Sequence, residues 1–128
     1  MPLPLFWFRL LPFWRSSEIR AARYLRSQGY RIVATNFRIK EGEIDLVAWE
    51  GDILVFVEVK SRTSSDAPEA AVGVRKRTRV IRAAHAYIAR YHLQRAPYRF
   101  DIVAVNETPT RKPEYRLIRD AFRVHPEN

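Results

Sequence analysis

GEIDLVAWEGDILVFVEVK, from Gly42 to Lys60, decides how this 128-residue chain is read. Two apolar runs with strand character, Ile44–Trp49 and Ile53–Val59, flank Glu50-Gly51-Asp52, and Gly-Asp between apolar runs signals a two-residue hairpin loop. With Gly51 and Asp52 in the loop, Asp45 faces Glu58 and Glu43 faces Lys60. All four then share one face with Val47, Trp49, Leu54 and Phe56, while Ile44, Leu46, Ala48, Ile53, Val55, Val57 and Val59 take the other. A strand pair apolar on both faces belongs in a sheet covered on both sides. Directly opposed side chains have Cβ atoms about 4.5–5.5 Å apart, where like charges destabilise. A cation between Asp45 and Glu58 resolves that conflict.

Carboxylate oxygens suit Mg²⁺ or Mn²⁺. Paired acids beside a lysine supply the parts for metal-assisted phosphodiester hydrolysis: the metal polarises the phosphoryl oxygen and helps generate hydroxide, and the lysine orients the water or neutralises developing charge. The alternative is an ordinary ion pair of Glu43 with Lys60, with Asp45 and Glu58 at a solvated strand end.

The pattern Asp45-x12-Glu58-Val59-Lys60 resembles the D-(x)n-E-x-K motif of the PD-(D/E)xK nuclease superfamily. With GEIDL and FVEVKSR at this spacing, the chain more narrowly resembles the YraN-like (UPF-type) family of that superfamily, near its resolvase-like branch. The resemblance spans about Ser17 to Val105. It implies a restriction-endonuclease-like α/β fold, with an α-β-β-β-α-β core and a mixed sheet flanked by helices. It further implies a metal-dependent endonuclease acting on DNA, including branched or structured DNA. Asp45 and Glu58 would then be metal ligands with the Val59 carbonyl as a third, Lys60 would handle the attacking water, and Glu43 would support them. Glu18 matches the acid that opens the family's first helix, where it joins the metal site directly or through water; an acid favoured by the helix dipole is the other reading. Arg38, in Asn36-Phe37-Arg38, matches a further family position that would contact a phosphate, an exposed strand-end arginine being the other reading, and Lys76 matches one whose role is substrate contact or site support. A non-catalytic nucleic-acid-binding module on the same scaffold is the alternative.

Composition points the same way. The formal net charge is +9, and 19 of the 23 basic residues are arginine, whose planar fork matches phosphate oxygens. A polyanion is therefore the first partner to consider; composition bias explains the excess of arginine over lysine but not the net charge. The chain has no cysteine, which excludes disulfides, thiolate zinc sites and cysteine nucleophiles and fits a reducing, cytoplasmic setting. A homodimer would suit a symmetric substrate.

Three parts are expected: an apolar, aromatic extension over residues 1–16, one nuclease-like domain over 17–120, and a tail over 121–128. The segment Met1–Trp14 contains three prolines and Arg9 and is too short to span a bilayer. A flap on the domain, a partner-binding segment, a membrane-surface contact and a misplaced start codon all stay open for it. Ser17–Gln28 reads as a helix stopped by Gly29, with Ile19, Ala22, Tyr24 and Leu25 inward. Arg31–Ile39 reads as a strand, and Ser61–Pro68 as a polar loop carrying Arg62 past the site. A second helix runs from about Glu69 or Val74 to Tyr91, with Val80, Ala84, Tyr87, Ile88 and Tyr91 at helical spacing. Its first turns carry Arg75, Lys76, Arg77 and Arg79 against the helix dipole, a conflict that a phosphate would remove. His85 and His92 read as surface residues. Arg99–Asn106 reads as a fourth strand, with Asp101 a structural partner of Arg99 or a group supporting the site. Thr108–Pro113 reads as a loop, and Tyr115–Ile118 as a short last strand.

Overall fold

A computed structural model of the protein describes residues 16–62 and 73–124. The element order is α1 (Ser16–Ser27), β1 (Arg31–Ile39), β2 (Gly42–Glu50), β3 (Ile53–Arg62), α2 (Val74–Arg90), β4 (Tyr98–Thr108) and β5 (Arg111–Phe122). The strands form one sheet in the order β1-β2-β3-β4-β5. Only the β3–β4 pair is parallel, because β3 and β4 are joined by the crossover through α2. The expected α-β-β-β-α-β core is present, and β5 extends it. The architecture is the mixed, helix-flanked sheet of a restriction-endonuclease-like fold. Met1–Trp14, the loop from Thr63 to Pro68 and residues 125–128 lie outside the described residues.

The hairpin forms in the expected register, with Leu46 opposite Val57, Trp49 opposite Leu54 and Glu50 opposite Ile53. Gly51 takes φ +61 at the first central loop position, where a II′ turn calls for glycine. Both faces of the pair are buried. Leu54 and Phe56 pack with Val47, Val80, Tyr87 and Phe100 under α2; Val55 and Val57 pack with Leu46, Ala48, Ala22 and Leu25 under α1. On α2 the buried set is Val80, Ala83, Ala84, Tyr87 and Ile88, the stripe of an amphipathic helix. Tyr91, expected within it, is half exposed at the C-cap.

In β2 alternation fails at one place. Ile44, expected on the face with Leu46, packs instead under α2 with Val47, and Phe37, which pairs with Ile44, joins it there. One pleat along, Leu46 pairs with Thr35 and packs under α1. Both strands thus change faces between these two pairs, at Asn36 and Asp45. Asn36 has φ +48, a left-handed conformation that asparagine tolerates better than other side chains. The kink breaks the strict period of two on which the face assignment rested.

The C-terminal part also differs from expectation. The loop expected over Thr108–Pro113 is a tight turn between two strands, and the last strand covers Arg111–Phe122 rather than Tyr115–Ile118. Residues 121 and 122, expected in a tail, are strand, and Phe122 stacks on Phe100 with centroids 4.9 Å apart. Pro113 is tolerated because β5 is an edge strand. Ser61 and Arg62 likewise extend β3 instead of starting a loop.

Candidate active site

The acids and lysines of the motif meet where β2 begins, β3 ends and α2 starts. A pocket of about 110 Å³ there is lined by Glu18, Asn36, Arg38, Glu43, Asp45, Glu58, Val59, Lys60 and Lys76. Every acid assigned to the site from sequence is in this lining.

The kink at Asn36 aims the groups. Past the last ladder pair, Leu46 with Val57, the Asp45 side chain takes over from the backbone: its Oδ2 accepts the Val59 N–H at 2.8 Å. This bond fixes the carboxylate against β3 beside Glu58. Glu58 continues the Leu54–Phe56 side of β3 toward α2 and is 1% exposed. Its Oε2 takes an ion pair from Lys76 Nζ at 3.2 Å, while Oε1 is buried without a hydrogen-bond partner. Burial, and then the neighbouring Asp45 charge, push the Glu58 carboxyl up to about 8 against the pull of Lys76. Burial alone would lower the Lys76 ammonium, but Glu58, Asp45 and Glu43 together raise it. A buried carboxylate oxygen without a partner costs free energy that one further cation would recover.

Glu43 does not pair with Lys60. It forms an ion pair with Arg38, its β1 partner in register, at 3.1 Å from Nε, and lies 4.0 Å from Lys76 Nζ. Lys60 lines the pocket with no ion pair among the described residues. Glu18, 4% exposed on the first turn of α1, accepts from Asn36 Nδ2 at 3.2 Å. One asparagine therefore both kinks β1 and anchors the helix acid beside the motif.

The start of α2 is brought to the pocket by a close approach. A Cβ on Gly42 would lie 1.8 Å from the Arg79 carbonyl oxygen, so only glycine lets the head of β2 lie against the helix backbone. The basic run then divides. Lys76, third residue of α2, reaches the acids; Arg77 lies over the Phe122 ring at 5.5 Å; Arg75 and Arg79 are exposed. The lysine that runs against the helix dipole thus has acid partners inside the protein. Arg62 closes β3, and its side chain lies outside the described part.

The residues fit a divalent cation through the chemistry of Asp45 and Glu58 and through the unpartnered Glu58 Oε1. Among the described residues no three or more His, Asp or Glu side chains close around one point, so a backbone oxygen such as that of Val59 would have to complete the donor set. The histidines stand apart: exposed His85 lies 3.5 Å from the Tyr98 hydroxyl, and His92 is exposed. Asp101 is a structural residue, held by Arg99, Tyr30 and the Asp120 backbone. No described helix is long and apolar enough to cross a membrane.

Residues 17–105 match the model of the family described as "Uncharacterised protein family UPF0102". A UPF0102 protein of Symbiobacterium thermophilum is 44% identical over 109 residues, covering 84% of this chain and 92% of the relative. One from Solibacter usitatus is 47% identical over 112 residues, covering 84% and 83%, and one from Hahella chejuensis is 43% identical over 110 residues, covering 84% and 87%. With Asp45, Glu58 and Lys60 set at one end of the sheet, this chain belongs to the UPF0102 family, the YraN-like group with the PD-(D/E)xK-like pattern.

Proposed function

We propose that this protein is an endonuclease that hydrolyses DNA phosphodiester bonds with Mg²⁺ or Mn²⁺, with branched or structured DNA among its substrates. The observation that carries this reading is the buried Glu58, with one carboxylate oxygen lacking a partner, beside Asp45 in a pocket that also holds Lys60. Asp45 and Glu58 would hold the metal, which when bound polarises the scissile phosphate and acidifies water. Asp45 is kept in place by the Val59 N–H, so its donor atom needs no reorganisation. Lys60, with no ion pair among the described residues, orients the attacking water or meets charge on the phosphate. Glu43 and Glu18 hold the pocket's shape through Arg38 and Asn36, and exposed Arg75 and Arg79 lie where a DNA backbone can run. A homodimer would present two such pockets to a symmetric junction.

The Lys76–Glu58 ion pair favours a second reading, a binding module whose acid pocket is closed by its own lysine. Labelled linear duplex, single-stranded, flap and four-way-junction DNA, incubated with Mg²⁺ or Mn²⁺, separates the two. The endonuclease reading expects metal-dependent cleavage that is lost in Asp45→Ala and in Lys60→Ala. Salt-dependent binding without cleavage, equal in the wild type and Asp45→Ala, overturns it in favour of the binding module.

A further inference from the structure

Among the described residues, Lys76 is the one basic group that reaches the buried Glu58. Arg38 is engaged on Glu43, Arg77 on the Phe122 ring, and Lys60 forms no ion pair among the described residues. Its ammonium also lies between two acids of unequal depth. Glu58, at 3.2 Å, is 2% exposed in its side chain, whereas Glu43, at 4.0 Å, is 34% exposed. The line from Glu58 to Glu43 therefore runs from the floor of the pocket to its mouth. The lysine stem is flexible and starts on the first turn of α2, so a short swing follows that line without moving the helix. A dication on Asp45 and Glu58 would lie within a few ångströms of the ammonium, repel it and compete with it for Glu58.

We propose that Lys76 is the resident counter-ion of the pocket: it holds Glu58 while no metal is present, and leaves Glu58 for the Glu43 side when a divalent cation binds at Asp45 and Glu58. This inference rests on the metal-site reading above. Its consequence is an order of assembly. Before metal binds, the ammonium is sequestered and a DNA phosphate finds one basic group fewer at the pocket. After metal binds, Lys76 stands at the mouth, ready to donate to a phosphate oxygen of the substrate. The two motif lysines then divide the work, Lys60 serving the reacting centre and Lys76 reporting that the metal is in place. No covalent step is involved; one ion pair is exchanged for another.

The chain has four lysines, Lys40, Lys60, Lys76 and Lys112, so a brief pulse of amine acylation read peptide by peptide resolves each. The full-length protein is labelled in EDTA and in saturating Mg²⁺, and Mg²⁺ binding is measured separately by calorimetry. The expected result is a several-fold rise in Lys76 labelling with Mg²⁺, no change at exposed Lys112, and no rise at Lys76 in Asp45→Asn. If Mg²⁺ binds in an Asp45-dependent way and Lys76 labelling stays level or falls, the lysine does not leave Glu58; the inference is overturned and the metal-site reading stands. If neither Mg²⁺ nor Mn²⁺ binds, both fall together.

Discussion

The sheet buries two carboxylates on neighbouring strands, Glu58 on β3 and Asp101 on β4, and treats them in opposite ways. Asp101 is fully buried and fully served. The Tyr30 hydroxyl donates to Oδ2 at 2.8 Å, Arg99 Nε and the Asp120 N–H each donate to Oδ1 at 2.9 Å, and Arg99 Nη2 adds a contact to Oδ2 at 3.2 Å. Arg99 also bonds Glu50, and Arg119 reaches Glu50 at 3.1 Å, so the hairpin tip is tied to β4 and β5. Glu58 has one cation and one idle oxygen. A satisfied buried network makes the fold specific, whereas a starved carboxylate leaves binding capacity to spare. Burial alone does not set Glu58 apart from Asp101; the unmet hydrogen-bonding demand does.

The sharpest way to break this contrast is to neutralise one acid at each end. Asp45→Asn keeps shape and volume but removes charge from the pocket, so cleavage should fall about 10³-fold or more, ~4 kcal/mol of transition-state stabilisation. Its thermal midpoint should stay near that of the wild type. Asp101→Asn reverses the pattern. It leaves half-buried Arg99, still held by Glu50, beside a neutral amide, so the loss should lie at the low end of the about 3–5 kcal/mol that breaking a buried pair costs, and any cleavage deficit should track the folded fraction. Denaturant titration beside single-turnover cleavage checks both. A stability loss in Asp45→Asn as large as that in Asp101→Asn would erase the distinction.

A smaller effect should join the two measurements. In Gly42→Ala the added methyl has backbone rather than a flexible side chain in its way at Arg79, so β2 and α2 must part. Overpacking of this kind costs about 1–3 kcal/mol. Because α2 carries Lys76, the shift should also loosen the Lys76–Glu58 pair, visible as increased Lys76 labelling in EDTA. Unchanged labelling in a destabilised Gly42→Ala would show that the pocket does not depend on this packing.

How much of this was legible follows from the same physics. The hairpin and its register could be read because Gly51-Asp52 fixes the loop, and loop length and turn type set the register of a hairpin even when both of its faces are apolar. Asp45, Glu58, Glu43 and Glu18 could be placed together because a motif spacing and a helix start carried them. The face change at Asn36 was hidden, since nothing in an alternating strand announces a positive φ; an asparagine beside a resembled motif was the available hint. β5 was foreshortened because Pro113 and the charges around it read as loop, whereas an edge strand accepts both. The pairing of Lys76 with Glu58 joins residues on two elements whose approach depends on Gly42. The dipole conflict at the start of α2 was the signal that it needed a partner, and that partner proved to be the pocket itself.

The least effect, and the most direct test of the contrast, is in how stability depends on pH in EDTA. The Glu58 carboxyl is raised from its ordinary 4.5 to about 8, by burial first and Asp45 next. Between those values the folded protein holds the Glu58 proton more tightly than the unfolded chain does, and the ion pair with Lys76 becomes complete as pH nears about 8, so this group's contribution is greatest below about 4.5 and declines as pH rises to about 8. Glu50, at the other end of the hairpin, is lowered by its bond to Arg99. Its contribution is present above the unfolded value and is lost as pH falls through the folded one. Glu58→Gln should therefore flatten the decline on the neutral side, and Glu50→Gln the decline on the acid side, where exposure of Glu50 keeps the change small. Denaturation midpoints from about pH 3 to about pH 9 read both limbs. If Glu58→Gln alters the acid limb instead, Glu58 is ionised and well partnered in the folded protein, and the two ends of the sheet are alike after all.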